Sequence, residues 1–298
     1  MAPAQSPPAA SERRQRAKGM ICIALSAVCF SVMSVFVKEC GVDSFKAAMV
    51  RFSVGMAVLG TAAFMGKIEL KFVENRALFM RGLFGAAGVV LFFLSLTRIG
   101  VAKGTIFSYS YPLFATVGAM IILREPVRRA QMAAVMLGFA GIVQMVAGKG
   151  SLNLSLGQYE GLAILGAGCS GLAVVFVKKL RATDSAYAIF MSQCATGFWV
   201  AVVPAFLLPF ERTGTRTGVM LLLVGLAGAA AQLLMTYGIR FVPVVTSSLL
   251  ALLTPALSLV IGVVFYREPV SGGEWVGVLM VLLSCATVAI PRRAPQPV

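Results

Sequence analysis

The chain has 298 residues, 59% of them hydrophobic and 12% charged, with a mean hydropathy of +0.90. Soluble domains carry about 25% charged residues, so this composition excludes a soluble globular enzyme, a disordered protein and a disulfide-built secreted module. The net charge of +15 is concentrated in short polar gaps between long apolar runs. That distribution excludes a solvated nucleic-acid-binding face and marks an integral membrane protein. The chain contains no histidine, which removes His-based triads, H-E-x-x-H metal sites and imidazole proton shuttles together.

A helix needs about 20 apolar residues to cross the hydrocarbon core. Ten stretches meet this requirement: 19–38, 45–66, 77–97, 102–123, 131–147, 158–177, 186–209, 217–238, 244–265 and 274–290. The expected fold class is therefore an all-α integral membrane protein of ten transmembrane helices. Residues 1–18, rich in Pro, Ala, Ser and basic side chains, read as a disordered tail, and 291–298 as a second tail. The first apolar run ends at Lys38-Glu39 without an A-x-A site, which favours an uncleaved span over a signal peptide. Five of the six cysteines lie within apolar runs and the sixth, Cys40, follows one; with no C-x-x-C pair they read as small apolar residues.

Lys and Arg divide unequally between the two sides. The first tail, the even-numbered loops and the C-terminus hold 17, Arg81 among them, and the odd-numbered loops hold 8. Arg51 is the remaining one, inside the second span. The positive-inside rule then places both termini in the cytoplasm, as an even number of spans requires.

The two halves repeat. Leu123-Arg124-Glu125-Pro126-Val127 after the fourth span recurs as Tyr266-Arg267-Glu268-Pro269-Val270 after the ninth, 143 residues later. At the same offset Pro112 matches Pro255, and Gly85-Ala86-Ala87 matches Gly228-Ala229-Ala230; Val35-Phe36-Val37-Lys38 matches Val175-Phe176-Val177-Lys178 at offset 140. The predicted repeats are 19–147 and 158–290. Each holds five spans, an odd number, so the second copy crosses the bilayer in the opposite sense. Inverted repeats are a recurring plan of secondary transporters.

Ten spans as five plus five, with R-E-P closing spans four and nine, resemble the EamA-type members of the drug/metabolite transporter superfamily. Length and cytoplasmic termini are similar to those of its YddG-type aromatic and amino-acid exporters. The resemblance implies a central cavity between the halves, export of small metabolites, amino acids foremost, by alternating access, and a bacterial inner membrane as location.

Candidate site residues cluster around the two span-interior prolines. Pro112 and Pro255 each remove a backbone donor, leaving the carbonyls of Ser108 and Ala251 without a helical partner; they read as hinges, or as simple bends. Nearby stand Tyr109, Tyr111, Ser248 and Thr254, with Gln232 and Tyr237 in span eight and Gln193 in span seven. Their hydroxyls and amides suit an ammonium, a carboxylate or a polar ring, although Ser and Thr also bond their own helices. Phe84, with Phe92, Phe93 and Phe107, offers an aromatic platform or a lipid-facing surface. Arg51 has three available roles: pairing a substrate carboxylate, pairing Asp43 or Glu39, or snorkelling to the interface. Arg124, Glu125 and Pro126, with Arg267, Glu268 and Pro269, read as structural turns held by local ion pairs. Stripes of small residues (Gly82, Gly85, Gly88; Gly225, Gly228; Gly138, Gly141) read as packing surfaces, between spans or between protomers.

No Asp or Glu falls in the middle of any span, which predicts facilitated diffusion rather than coupling through a buried acid. Gly168-Cys169-Ser170-Gly171 has the form of an intramembrane serine nucleophile, but without histidine only Lys178 or Lys179 could serve as base, and an enzyme is not expected. A channel lacks a filter motif, and multidrug, nucleobase or nucleotide-sugar transport are the alternatives within the same fold. No cofactor, metal or nucleic acid is implied. The expected partners are a small-molecule substrate and membrane lipids, with one chain sufficient as a monomer and a dimer equally compatible.

Overall fold

The computed structural model describes residues 9–148, 157–207, 214–267 and 269–289, all of whose regular structure is helical. The helices are α1 (Ala9–Cys40), α2 (Ser44–Phe64), α3 (Asn75–Ser108), α4 (Tyr111–Ile122), α5 (Arg129–Ala147), α6 (Gln158–Leu180), α7 (Ala186–Phe206), α8 (Thr215–Ile239), α9 (Val244–Ala251), α10 (Leu253–Tyr266) and α11 (Gly272–Ala289). Among the described residues nine segments are long and apolar enough to cross a membrane, and a shorter apolar helix over Gly272–Thr287 stands where the tenth span is expected.

α1 begins at Ala9, well before the expected span. Ser11 to Lys18 is rich in Ala, Glu, Gln, Arg and Lys, which favour helix, so the stretch expected as a tail continues the helix of the span behind it. Further along α1, Ile21, Leu25, Val28 and Val32 are exposed while Ile23, Ser26, Ala27 and Ser31 are buried. An outward apolar stripe of helical period is what a lipid-facing helix presents.

Spans three and four are divided between α3 and α4 in a way the apolar runs do not predict. The first leg of α3 runs antiparallel to α6: Phe84 stacks on Phe176 at 5.8 Å, a Cβ on Gly166 would lie 2.8 Å from Leu91, and Arg98 lies over the Tyr159 ring. α4 instead runs with α6, Tyr111 and Ala115 meeting Gly171 and Gly118 meeting Val175. The chain therefore reverses between Arg98 and Tyr111.

Close helix approaches occur at the small residues. The Gly19 and Gly238 backbones face each other where α1 crosses α8, and Gly141 and Gly277 do so where α5 crosses α11. Gly82 faces Thr196 of α7, Gly88 faces Ser170 of α6, Gly225 faces Val54 of α2, and Gly138 faces Leu252 and Ser284. These stripes serve packing within the chain, where dispersion replaces the hydrophobic force that lipid cannot supply. The Gly168–Gly171 segment is used the same way: Ser170 packs under Gly88, and Gly171 abuts the backbone of Tyr111 and Ala115. All six cysteines are free thiols.

Candidate functional site

Both span-interior prolines stand just beyond a break. Span four is interrupted at Tyr109 and Ser110 between α3 and α4, and span nine at Leu252 between α9 and α10. Tyr109 and Leu252 are 143 residues apart, so the breaks obey the sequence repeat. Side chains from other helices occupy carbonyls around the second break. Tyr111 donates its hydroxyl to Ser248 O at 3.4 Å, Ser31 Oγ donates to Thr254 O at 3.0 Å, and Cys285 Sγ donates to Leu249 O at 3.2 Å. Interrupted helices persist within a membrane only where protein groups or a cavity satisfy the backbone. The buried hydroxyls of Thr236, Thr246 and Ser248 lack a protein partner, so polar capacity is left over in this region.

The R-E-P turns also repeat in conformation. Arg124 and Arg267 take φ of 54° and 51°, the two positive values among the described non-glycine residues. A left-handed residue at a helix end normally is glycine; here Arg124 closes α4, with Glu125 N–H donating back to Ala119 O at 3.1 Å. The Glu125 carboxylate does not pair with its neighbour Arg124 as expected. It crosses to the other repeat and accepts from Val244 N–H at 3.0 Å, capping the start of α9. Glu268, its counterpart, lies outside the described residues.

Beside this cap, Lys178 Nζ donates to three carbonyls at the end of α8: Ile239 at 3.1 Å, Arg240 at 3.2 Å and Val242 at 2.8 Å. An ammonium at a helix C-terminus satisfies orphan acceptors and complements the macrodipole. Asp184 accepts from Val73 N–H at 2.7 Å and Glu74 N–H at 3.4 Å at the entry to α3, while Arg181 Nη1 donates to Asp184 O at 2.7 Å. Arg181 is held below the usual arginine range, first by burial and then by repulsion from Arg240. The starts of α3 and α9 and the ends of α4, α6 and α8 thus meet at one face, the basic face of the molecule. On the opposite face Glu39 accepts from the Tyr266 hydroxyl at 2.6 Å and lies 3.6 Å from Arg216.

The remaining candidate residues fall into separate neighbourhoods. Tyr109 and Tyr111 both pack against the largest apolar core, and Thr254 and Gln232 are buried. Tyr237 sits towards the basic face, edge-on to Phe241 and under Lys18 Nζ, away from the α4 break.

Arg51 and Gln193 come together in a second neighbourhood, with a residue that counting charges by side had assigned to a loop. Arg81 is 4% exposed and donates from Nη2 to Gln193 Oε1 at 2.8 Å, while its Nε and Nη1 have no protein partner. Arg51 Nε is likewise buried without a partner, beneath Gly228 and against Met33. Its guanidinium lies over the rings of Phe30 at 5.5 Å and Phe52 at 5.9 Å. Neither Asp43 nor Glu39 reaches it: Asp43 caps α2 through Phe45 N–H, and Glu39 is engaged as described above. The signal for Arg81 was present in the sequence, since it stands inside the predicted span 77–97.

The EamA-like transporter family matches this chain twice, over residues 17–147 and 159–290, one match to each predicted repeat. An uncharacterized transporter of Archaeoglobus fulgidus is 26% identical, covering 89% of this chain and 93% of its own length. The pseudopaline exporter CntI of Pseudomonas aeruginosa is 25% identical over 73% of this chain and 77% of its own length. A solved crystal structure of 18% identity superposes with a TM-score of 0.77, covering 91% of this chain and 96% of that one, and so has the same fold.

Proposed function

Since the chain belongs to the EamA-like transporter family, we propose that it is a secondary carrier exporting small metabolites, amino acids foremost, by alternating access of a cavity between its repeats. The observation that carries this reading is the pair of breaks at Tyr109–Ser110 and Leu252. They put interrupted backbone at equivalent points of two opposed halves, where exchange of conformations would turn an inward-open state into an outward-open one. The Glu125–Val244 cap joins the two repeats at the basic face, as a contact that opens and closes in each cycle would. The name of the Pseudomonas aeruginosa relative, an exporter, supports the direction of transport.

In this reading the protein resides in a bacterial inner membrane with both termini cytoplasmic, and flux runs down the substrate gradient. Gln232, Tyr111 and the buried hydroxyls of Ser248 and Thr254 contribute polar contacts, with Pro112 and Pro255 at the hinges. Counterflow in proteoliposomes loaded with unlabelled amino acids tests it, using labelled threonine, methionine and phenylalanine in turn. Transient accumulation of a label, abolished by Gln232→Ala or Tyr111→Ala, is the expected result. Absence of accumulation for every label with folded protein would overturn the amino-acid assignment. Uphill flux driven by an imposed pH gradient would overturn the facilitative one.

A further inference from the structure

The Arg51–Arg81 neighbourhood differs from the charged groups at the basic face. Lys178, Glu125 and Asp184 sit at helix ends with backbone partners within reach, whereas these two lie well inside spans. Arg51 is seven residues into α2 and Arg81 six into α3, roughly 10 Å of helix in each case. They come from opposite ends of their helices relative to the basic face, so their side chains converge towards mid-membrane from the two sides. Gln193, which holds Arg81, is followed on α7 by Cys194, which meets α2 one turn beyond Arg51. The Cys194 thiol fits against Gly55, and Phe52 fits against Gly197 one turn on. The crossing of α2 and α7 is therefore the scaffold of this neighbourhood, with α8 contributing Gly228. α2 and α3 belong to the first repeat, α7 and α8 to the second.

Two guanidiniums with three buried, unpartnered nitrogens lack a carboxylate among the described residues. Isolated charges at this depth are expensive and are retained where they meet a cavity or a ligand. Arg51 is partly exposed, whereas Arg81 is buried. Gly85 and Gly228 make room for them: a Cβ on Gly85 would collide with Arg81 Nη1, and one on Gly228 would lie 2.8 Å from Arg51 Nε. Gly85 and Gly228 are themselves equivalent positions of the repeat. Secondary carriers bind their cargo near the midplane where the repeats meet.

We propose that Arg51 and Arg81 form an anion site that receives two carboxylates of one small molecule, so that the transported class is dicarboxylate metabolites, acidic amino acids included. Gln193 is the positioning residue: its Oε1 anchors Nη2 of Arg81, leaving Nε and Nη1 for the ligand. Two guanidiniums without an internal carboxylate can each take one carboxylate of a ligand, and planar guanidinium forks match carboxylates. The proposal rests on the carrier reading for its transport consequence, but not for binding.

The test compares L-glutamate with L-glutamine, which differ by one carboxylate, by isothermal titration calorimetry on the purified full chain and by counterflow in proteoliposomes. We expect glutamate to bind at least about tenfold more tightly than glutamine. Arg51→Gln and Arg81→Gln should each reduce that preference to below about threefold, and Arg81→Lys should retain part of it. Should a charge-removing variant misfold, Gly85→Ala and Gly228→Ala keep both charges but displace the guanidiniums, and should erode the preference as well. A purely structural role for the arginines predicts lower melting temperatures for the ligand-free Gln variants and an unaltered glutamate preference. Equal binding of the two amino acids, no binding of either, or discrimination unchanged in the variants would overturn the anion site. Flux of threonine or phenylalanine without glutamate binding would overturn it and leave the carrier reading standing. Arginine-dependent glutamate binding without flux of any amino acid would do the reverse.

Discussion

Two groups of charged residues in this protein are held in opposite ways. At the basic face Lys178 meets three carbonyls, Glu125 meets the α9 amide, and Asp184 meets the two amides that open α3. At mid-membrane Arg51 and Arg81 carry guanidinium nitrogens that meet nothing. The first group completes backbone hydrogen bonding where helices end, and its charges are structural. The second is compensated only in part, by Gln193 and the rings of Phe30 and Phe52, and in the proposed site its remaining nitrogens are for a ligand. The two groups thus separate by what their atoms meet: backbone groups in the first, and in the second one amide and two rings, with three buried nitrogens left over.

Substitutions can break that contrast. Lys178→Met removes the donor from three carbonyls at once, and we expect the largest effect there, a loss of about 3 kcal/mol, seen as a lower melting temperature of the purified protein. Asp184→Ala uncaps the entry to α3 and should cost about 2 kcal/mol in the same assay. Glu125→Ala frees one capped amide and should cost about 1 kcal/mol. If that contact also closes the path at the basic face, transport should change more than stability does, which counterflow rates would read. Arg51→Met should leave stability within about 1 kcal/mol of the parent, on the stabilising side, because removing a charge compensated only in part offsets the loss of its ring contacts. A melting temperature lowered as much by Arg51→Met as by Lys178→Met would erase the distinction between the two groups.

Much of the fold was legible because apolar length and the 143-residue offset are properties of the sequence alone. The offset returned as structure in three independent features: the breaks before Pro112 and Pro255, the left-handed Arg124 and Arg267, and the paired glycines Gly85 and Gly228. Less legible was anything that depended on contact across the repeats. Glu125 stands beside Arg124 in the chain, and the sequence pairs them; its true partner, Val244 N–H, is 119 residues away and is a backbone group that no motif advertises. Arg81 was hidden for a different reason. Counting positive charges by side treats an arginine near a span end as a loop residue, and only its helix phase and the Gln193 partner reveal that it turns inward. Gln193 itself was legible, because a buried amide is costly enough to imply a task. The long helix into which Ser11–Lys18 is absorbed was missed because a polar, basic stretch has no apolar signal of its own.

The left-handed arginines have a consequence for where this protein can reside. Arg124 and Arg267 are both exposed, and they close spans four and nine at opposite faces. Each therefore marks one end of an apolar span with a cation, and a typical hydrocarbon core is about 30 Å thick. A glycine would relax both turns but erase the marks. In a markedly thicker bilayer the arginines would be drawn into the acyl region, and the strain would fall first on the turn that carries Glu125 to Val244. Lipid thickness would then tune the contact between the repeats without touching the residues that bind cargo.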